Sequence, residues 1–247
     1  MRVRNINAYL IYSKNYKESS SLLTVYSDTF GKITVLGKGI RNFKSKIKSA
    51  LSLFSYLNLN IIPPKKSGGI YILTSVEKIY VANNFLSLNY ENQLVLHYIT
   101  ELIYLLVPYE EEDHIIFSMY NSSIQEATNR NIKNILRQFE LCLLKSLGYE
   151  VDFYYDTNGD ELINFQYYSY FPLEGFSLSR SENRKCDKNI FLGNIINNIS
   201  MGEGFWGGAE FSALQRIMRA NIQKLLLGRK LNTREALLSY YKLIDKN

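Results

Sequence analysis

Residues 22–36, LLTVYSDTFGKITVL, set two runs of apolar, β-branched and aromatic residues around the turn Ser27-Asp28-Thr29-Phe30-Gly31. Such runs, separated by turn-forming residues, read as neighbouring strands. Ala8–Tyr12 is a third run of the same kind, set apart by the polar stretch Ser13–Ser21. On the other side comes Arg41–Ser55, rich in Lys and Ser, with a short helix expected around Ile47–Phe54. Leu57, Leu59 and Ile61 then alternate with Asn58 and Asn60, the period of a half-buried strand, until Pro63-Pro64 ends it. The turn Ser67-Gly68-Gly69 leads into a fifth run, Ile70–Tyr80. Five strands in about 80 residues, with a basic insertion after the third, predict a small closed barrel of the OB type; an SH3-like barrel is the nearest competitor.

After Asn83 the period becomes helical. Phe85–Val107 carries Leu94, Tyr98, Glu101, Leu102 and Leu105 at helical spacing and stops at Pro108, which a helix interior does not accommodate. His114–Ala127 is a second amphipathic stretch. Asn131–Leu147 is the clearest helix: Ile132, Ile135, Leu136, Phe139, Leu143 and Leu147 form one stripe, and Gly148 stands where a left-handed cap is wanted. Val151–Cys186 loses the period and is rich in Tyr, Phe, Gly and Asn. Helical signals return at Phe211–Leu227 and Arg234–Ile244, with Asn232 and Glu235 spaced like an N-terminal cap pair. The expected class is α+β: an N-terminal five-stranded OB-type β-barrel (1–81) followed by an α-helical domain (82–247), with a small irregular or β-hairpin insertion at about 151–190.

The composition, 46% hydrophobic and 21% charged over 247 residues, excludes disordered and collagen-like chains. No apolar run approaches the ~18 residues of a membrane span, and Met1–Asn15 lacks the apolar segment and cleavage site of a signal peptide, so a soluble, unexported protein is expected. Cys142 and Cys186 form neither a disulfide framework nor a zinc spacing, which fits a reducing cytoplasm. The charge is uneven. Residues 1–66 hold 12 Lys and Arg against Glu18 and Asp28, a net of +10, whereas the remaining 181 residues hold 17 basic against 21 acidic, a net of −4. A basic end of this kind predicts a polyanionic partner, nucleic acid first, because clustered cations release the counterions condensed on a phosphate backbone.

Catalytic signatures are missing. Gly37-Lys38-Gly39 is not a phosphate loop, since Lys38 is followed by Gly and the segment joins strands. Gly175-Phe176-Ser177-Leu178-Ser179 lacks the closing Gly of a nucleophile elbow. His97 and His114 have no partner at metal spacing. Glu110-Glu111-Glu112-Asp113 reads as the acidic first turn of a helix. Asp152, Asp156 and Asp160 would serve a Mg²⁺-dependent nuclease, but Asp clustered in a loop is ordinary turn chemistry. Neither a cofactor, a metal nor an enzymatic activity is expected.

Residues 137–153, RQFELCLLKSLGYEVDF, resemble the helix signature of the bacterial DNA repair protein RecO family, in which an RxFEL run leads into LLxxLGY. Three further segments agree in order. YKESSSLLTVYSDTFGKITVLGKGIRNFKSK is similar to the family's N-terminal region, SALSLFSYLNLNI to its next strand, and LLLGRKLNTREAL to its C-terminal GxxLxSRE region. The resemblance covers nearly the whole chain. It implies a recombination mediator of the bacterial cytoplasm and nucleoid that binds and anneals DNA, contacts the tail of the single-stranded-DNA-binding protein, and acts with RecR in loading RecA. Many members carry a Cys-rich zinc module after the LGY segment; with Cys186 alone there, this chain is expected to be zinc-free, its hairpin Leu162–Ser177 packed by aromatics instead.

The expected DNA-binding residues are Lys32, Lys38, Arg41, Lys44, Lys46 and Lys48, around and beyond the third strand. Tyr12, Tyr26 and Phe43 are candidate base-stacking platforms, although Tyr12 and Tyr26, inside strand runs, read first as core. Annealing needs no catalytic group: a cationic surface lowers the repulsion of two strands and raises their effective concentration. The resemblance places the acidic, Phe-ended tail of the single-stranded-DNA-binding protein on the helical domain. There Arg130, Lys133 and Arg137 recur on one helix face, with Glu140 spaced to pair with Arg137. The alternative is an RNA-binding barrel protein of ribosome assembly or translation, because charge alone does not read a 2′-hydroxyl.

Overall fold

The computed structural model describes residues 3–42, 51–81, 88–128, 131–179 and 189–244. Its strands β1 (Arg4–Tyr16), β2 (Ser20–Ser27), β3 (Gly31–Gly37), β4 (Ser55–Ile62) and β5 (Tyr71–Val81) close into a barrel of order β1-β2-β3-β5-β4. β1 pairs with both β2 and β4, and the one parallel pairing, β3 with β5, completes the OB arrangement. Alternation decides which side chains fill it. Leu57, Leu59 and Ile61 of β4 point inward and are fully buried, meeting Leu23, Val25, Ile33 and Val35. Each such side chain contributes about 1.5–3 kcal/mol by leaving water. Gly31 has φ +59°, and a Cβ there would lie 1.9 Å from the carbonyl oxygen of Glu111, so this turn excludes any larger residue.

Two local expectations differ from the structure. The polar stretch Ser13–Ser21 is not a separator: β1 runs on to Tyr16 and turns at Lys17, whose φ is +52°, straight into β2. Its last residues are exposed because the hairpin ladder continues past the barrel rim, where polar side chains cost nothing. Leu51–Phe54 is a turn into β4 rather than a helix, and residues 47–50 of the expected helix lie outside the described residues.

The chain packs as two units, residues 1–130 with 231–247 and residues 131–230. In the first, α1 (Tyr90–Leu106), α2 (His114–Gln125) and α6 (Asn232–Ile244) accompany the barrel. This groups them differently from the expected division into 1–81 and 82–247. Asn89 caps α1 by accepting from the Asn92 amide at 2.8 Å, and the helix ends at Val107, held extended before Pro108. Tyr9 and Tyr26 point out of the barrel against Phe117 and Tyr120 of α2, with ring centroids 5.2–6.3 Å apart. Burial pushes the Tyr120 hydroxyl far above its ordinary pKa, and Thr100 of α1 shares a hydrogen bond with it at 2.9 Å. The N-terminus of α6 is closed from outside by Glu101 of α1, which accepts from the amides of Asn232 at 3.0 Å and Thr233 at 2.9 Å.

The second unit holds α3 (Ile132–Ser146), a sheet of β6 (Tyr167–Phe171), β7 (Gly175–Leu178) and β8 (Ile190–Leu192) in order β7-β6-β8, then α4 (Gly193–Met201) and α5 (Gly208–Leu225). Gly148, at φ +81°, ends α3 as the sequence implies. The expected Tyr-rich hairpin is β6–β7, and Phe153, Tyr170, Phe176 and Phe191 pack together in its core. Asn221 of α5, fully buried, bonds the Tyr170 hydroxyl and the Leu173 amide at 2.8 Å each, and burial pushes the Tyr170 pKa up to about 12.

Candidate nucleic-acid interface

A β-bulge between Leu10 and Tyr12 resets the alternation of β1. Beyond it Ser13 stands opposite the inward Leu23, so Tyr12, Lys14 and Tyr16 share the outer face with Thr24, Leu22 and Ser20 of β2. Thr34 and Leu36 of β3 continue that face. Its free end is cationic. The turn after β3 is tied to the β1–β2 turn by three bonds: the Arg41 amide to Ser19 O at 2.9 Å, the Arg41 guanidinium to Lys17 O at 3.2 Å, and the Gly39 amide to Ser20 Oγ at 3.4 Å. Lys38 and Arg41 are thereby brought to the hairpin end bearing Lys14 and Lys17, and all four are exposed, with Glu18 the acidic residue of the same turn.

Aromatic rings border these cations. Tyr12 is 42% exposed with its ring 4.7 Å from that of Tyr104, and Tyr16 is 38% exposed with the Lys17 ammonium 5.5 Å above its ring. Tyr26 is core. Phe43 lies outside the described residues, as do Lys44, Lys46 and Lys48.

Lys32 does not belong to this surface. It is 2% exposed, and its ammonium donates to the carbonyls of Tyr104 at 2.7 Å and Ile103 at 3.3 Å, with the Tyr109 ring 4.4 Å away. The last carbonyls of a helix carry partial negative charge and lack intrahelical donors. Lys32 caps this end of α1, donating to the Tyr104 carbonyl and sharing the Ile103 carbonyl with the Val107 amide, and is a structural residue.

The expected tail-binding set is likewise divided. Lys133 is exposed on α3, and Arg130 lies outside the described residues. Arg137 is buried: its side chain, 8% exposed, faces Glu140, 1% exposed, across 2.8 Å. Among the described residues its Nε has no hydrogen-bond partner. The pairing that the i,i+3 spacing suggests therefore exists inside the unit, where it offers no guanidinium to an incoming carboxylate.

The acidic loops have local duties. Asp152 accepts from the amides of Tyr154 and Tyr155, and Asp156 from those of Asn158 and Asp160, so both build turns. Asp113 caps α2 at 2.9 Å, and Glu112 pairs with His114 at 2.8 Å. Glu110 reaches elsewhere, accepting from Ser67 Oγ and the Gly68 amide at 2.8 Å each, which holds its carboxyl below the ordinary value. Burial against Phe54 lowers the pKa of His97. Among the described residues no group of three or more His, Cys, Asp or Glu side chains is placed to hold a metal ion, and no helix is long and apolar enough to cross a membrane.

Residues 1–81 match the family model described as Recombination protein O N terminal, and residues 87–235 that described as Recombination protein O C terminal. The chain belongs to the recombination protein O family. It is 33% identical to the DNA repair protein RecO of Francisella philomiragia over 96% of this chain and 97% of that one. The corresponding values for the DNA repair protein RecO of Vibrio vulnificus are 31%, 92% and 90%, and for that of Francisella tularensis subsp. novicida 28%, 95% and 96%. The RecO resemblance carried by RQFELCLLKSLGYEVDF thus extends over both packing units. Sequence reasoning missed Lys14, Lys17 and Tyr16, because the polar stretch that holds them looks like a separator between strands; continued period two past Tyr12 was the available signal.

Proposed function

We propose that this RecO-family protein is a non-enzymatic DNA repair mediator that binds and anneals single strands in the bacterial cytoplasm, at the nucleoid. In the same reading it engages the tail of the single-stranded-DNA-binding protein and helps RecR load RecA. The observation that carries the DNA-binding part is the stitched cationic rim of Lys14, Lys17, Lys38 and Arg41 beside the exposed rings of Tyr12 and Tyr16. OB barrels bind oligonucleotides on this face, with phosphates on the cations and bases stacked on aromatics. Lys44, Lys46 and Lys48 come soon after Arg41 in the sequence and are assigned to the same phosphate-binding set. For the acidic tail the proposed cations are Lys133 and Arg130; Arg137 is left out because Glu140 holds it.

The test is single-stranded DNA binding against salt concentration. Each phosphate neutralised contributes a slope of about 0.7 log units for single strands. Replacing Lys14, Lys17, Lys38 and Arg41 together with Ala should weaken binding to all sequences alike and flatten that slope by up to about 0.7 for each cation removed. An unchanged affinity and slope in the folded variant overturns the assignment. RNA competing as well as DNA at equal salt would favour the RNA-binding alternative.

A further inference from the structure

The second packing unit carries a groove of about 680 Å³ that the DNA-binding reading does not use. One wall is the face of α3 that bears Gln138, Leu141, Cys142 and Lys145; the others are residues 150–154 and the residues Ile199, Ser200, Glu203, Gly204 and Trp206. The floor is apolar: Leu141, Val151 and Trp206 are half-buried side chains packed on the unit's core. The groove is held open by fixed contacts. Gln138 donates to the Gly204 carbonyl at 2.7 Å, and the Trp206 indole donates to the Ile199 carbonyl at 2.9 Å. Trp206 lies so close over Gly202 that a Cβ there would approach the indole to 2.4 Å.

The rim decides what such a groove accepts. Lys145 is neutralised by Glu150 at 2.7 Å. Asp152 and Glu203 also line the groove, and among the described residues neither has a cation against it. The unpaired rim charge is therefore negative. Glu203 sits in the left-handed region at φ +43°, followed by Gly204 at +88°, in a turn that places it at the edge of the groove. Tyr154, 59% exposed, extends the apolar surface out of the groove. An acidic, Phe-ended peptide would meet these two carboxylates, so this is not the site for such a tail. A peptide with large apolar side chains between Lys or Arg residues matches both floor and rim.

We infer that this groove docks a cationic, apolar-anchored peptide segment of a partner protein, with the apolar side chains over Leu141, Val151 and Trp206 and the cations at Asp152 and Glu203. Trp206 is the chain's single tryptophan, so its emission reports the groove directly. The full chain should be titrated with the blocked peptide Lys-Leu-Lys-Phe-Lys, with Glu-Leu-Glu-Phe-Glu, and with Ser-Leu-Ser-Phe-Ser. The basic peptide should give a saturable blue shift at least about tenfold tighter than either other peptide, a margin that falls with salt. Glu203→Lys should erase most of that preference. Lys145→Glu, which frees Glu150, should strengthen basic-peptide binding, a gain that misfolding does not produce. Tighter or equal binding of the acidic or neutral peptide, no saturable shift with any of them, or a preference indifferent to both variants would overturn the inference.

Discussion

Arg137 and Glu140 stand one turn apart on α3 with almost no exposure to water. Two charges so placed are costly to desolvate, and the pair holds only while both members are present. Arg137→Ala should therefore destabilise the protein by about 3–5 kcal/mol, since it leaves Glu140 buried without its counter-charge. The double variant Arg137→Met with Glu140→Leu should recover most of that loss. Urea unfolding midpoints of the two variants check this, and a surface role for Arg137 would leave the single variant near parental stability. Lys32 is a second buried cation with a structural duty. Its strand position put it on the outer face of β3, where a lysine reads as solvated; only the arrival of the α1 C-terminus, some 70 residues later in the chain, turns that position into a cap. No local pattern encodes such a distant partner.

The connection between β4 and β5 is held at its tip by Glu110, from the segment joining α1 to α2. Hydrogen bonds from Ser67 and Gly68 favour the ionised form and hold its pKa below the ordinary 4.5. This contact is complete at neutral pH and is lost as the pH falls below 4.5 through the lowered value. Exchange of the Gly68 amide should therefore quicken in acid relative to its neighbours, and Glu110→Gln should remove that pH step; a step that survives the substitution assigns it to another group. The five strands and the helices around Tyr98, Phe117, Phe139 and Ile217 were legible because strict periods of two or 3.6 follow from which side chains must leave water. The short α4, NIINNIS at its centre, was not, because Asn is a poor helix former and the helix rests on Ile196 and Ile199 with Ile195 half-buried beside them. The cap of α6 is not the Asn232 and Glu235 pair that local spacing suggests, because its acceptor, Glu101, comes from another helix. Of the cationic rim, Lys38 and Arg41 were legible from charge clustering, whereas Lys14 and Lys17 join them only through the hydrogen bonds that fold one turn onto the other.

The first unit is discontinuous: its barrel, α1 and α2 come before residue 131, and α6 returns to it after residue 230. Leu231 and Leu237 are buried there, Tyr240 meets Tyr90 edge-on at 5.2 Å, and Glu101 closes the helix. Deleting 231–247 should strip hydrogen-exchange protection from α1 while leaving β6–β8 and α5 protected, although α5 is the sequence neighbour of the deleted segment. Loss of protection in α5 instead would refute this grouping. Closure of the first unit also comes late in synthesis. A chain made from its N-terminus at about 5–20 residues per second needs about 5–20 s to add the hundred or so residues of the second unit. Throughout that interval α1 lacks its covering helix, so of the two units the one whose synthesis starts first is completed last, and until then Tyr90 waits for the ring of Tyr240 and Glu101 for the amides it will close.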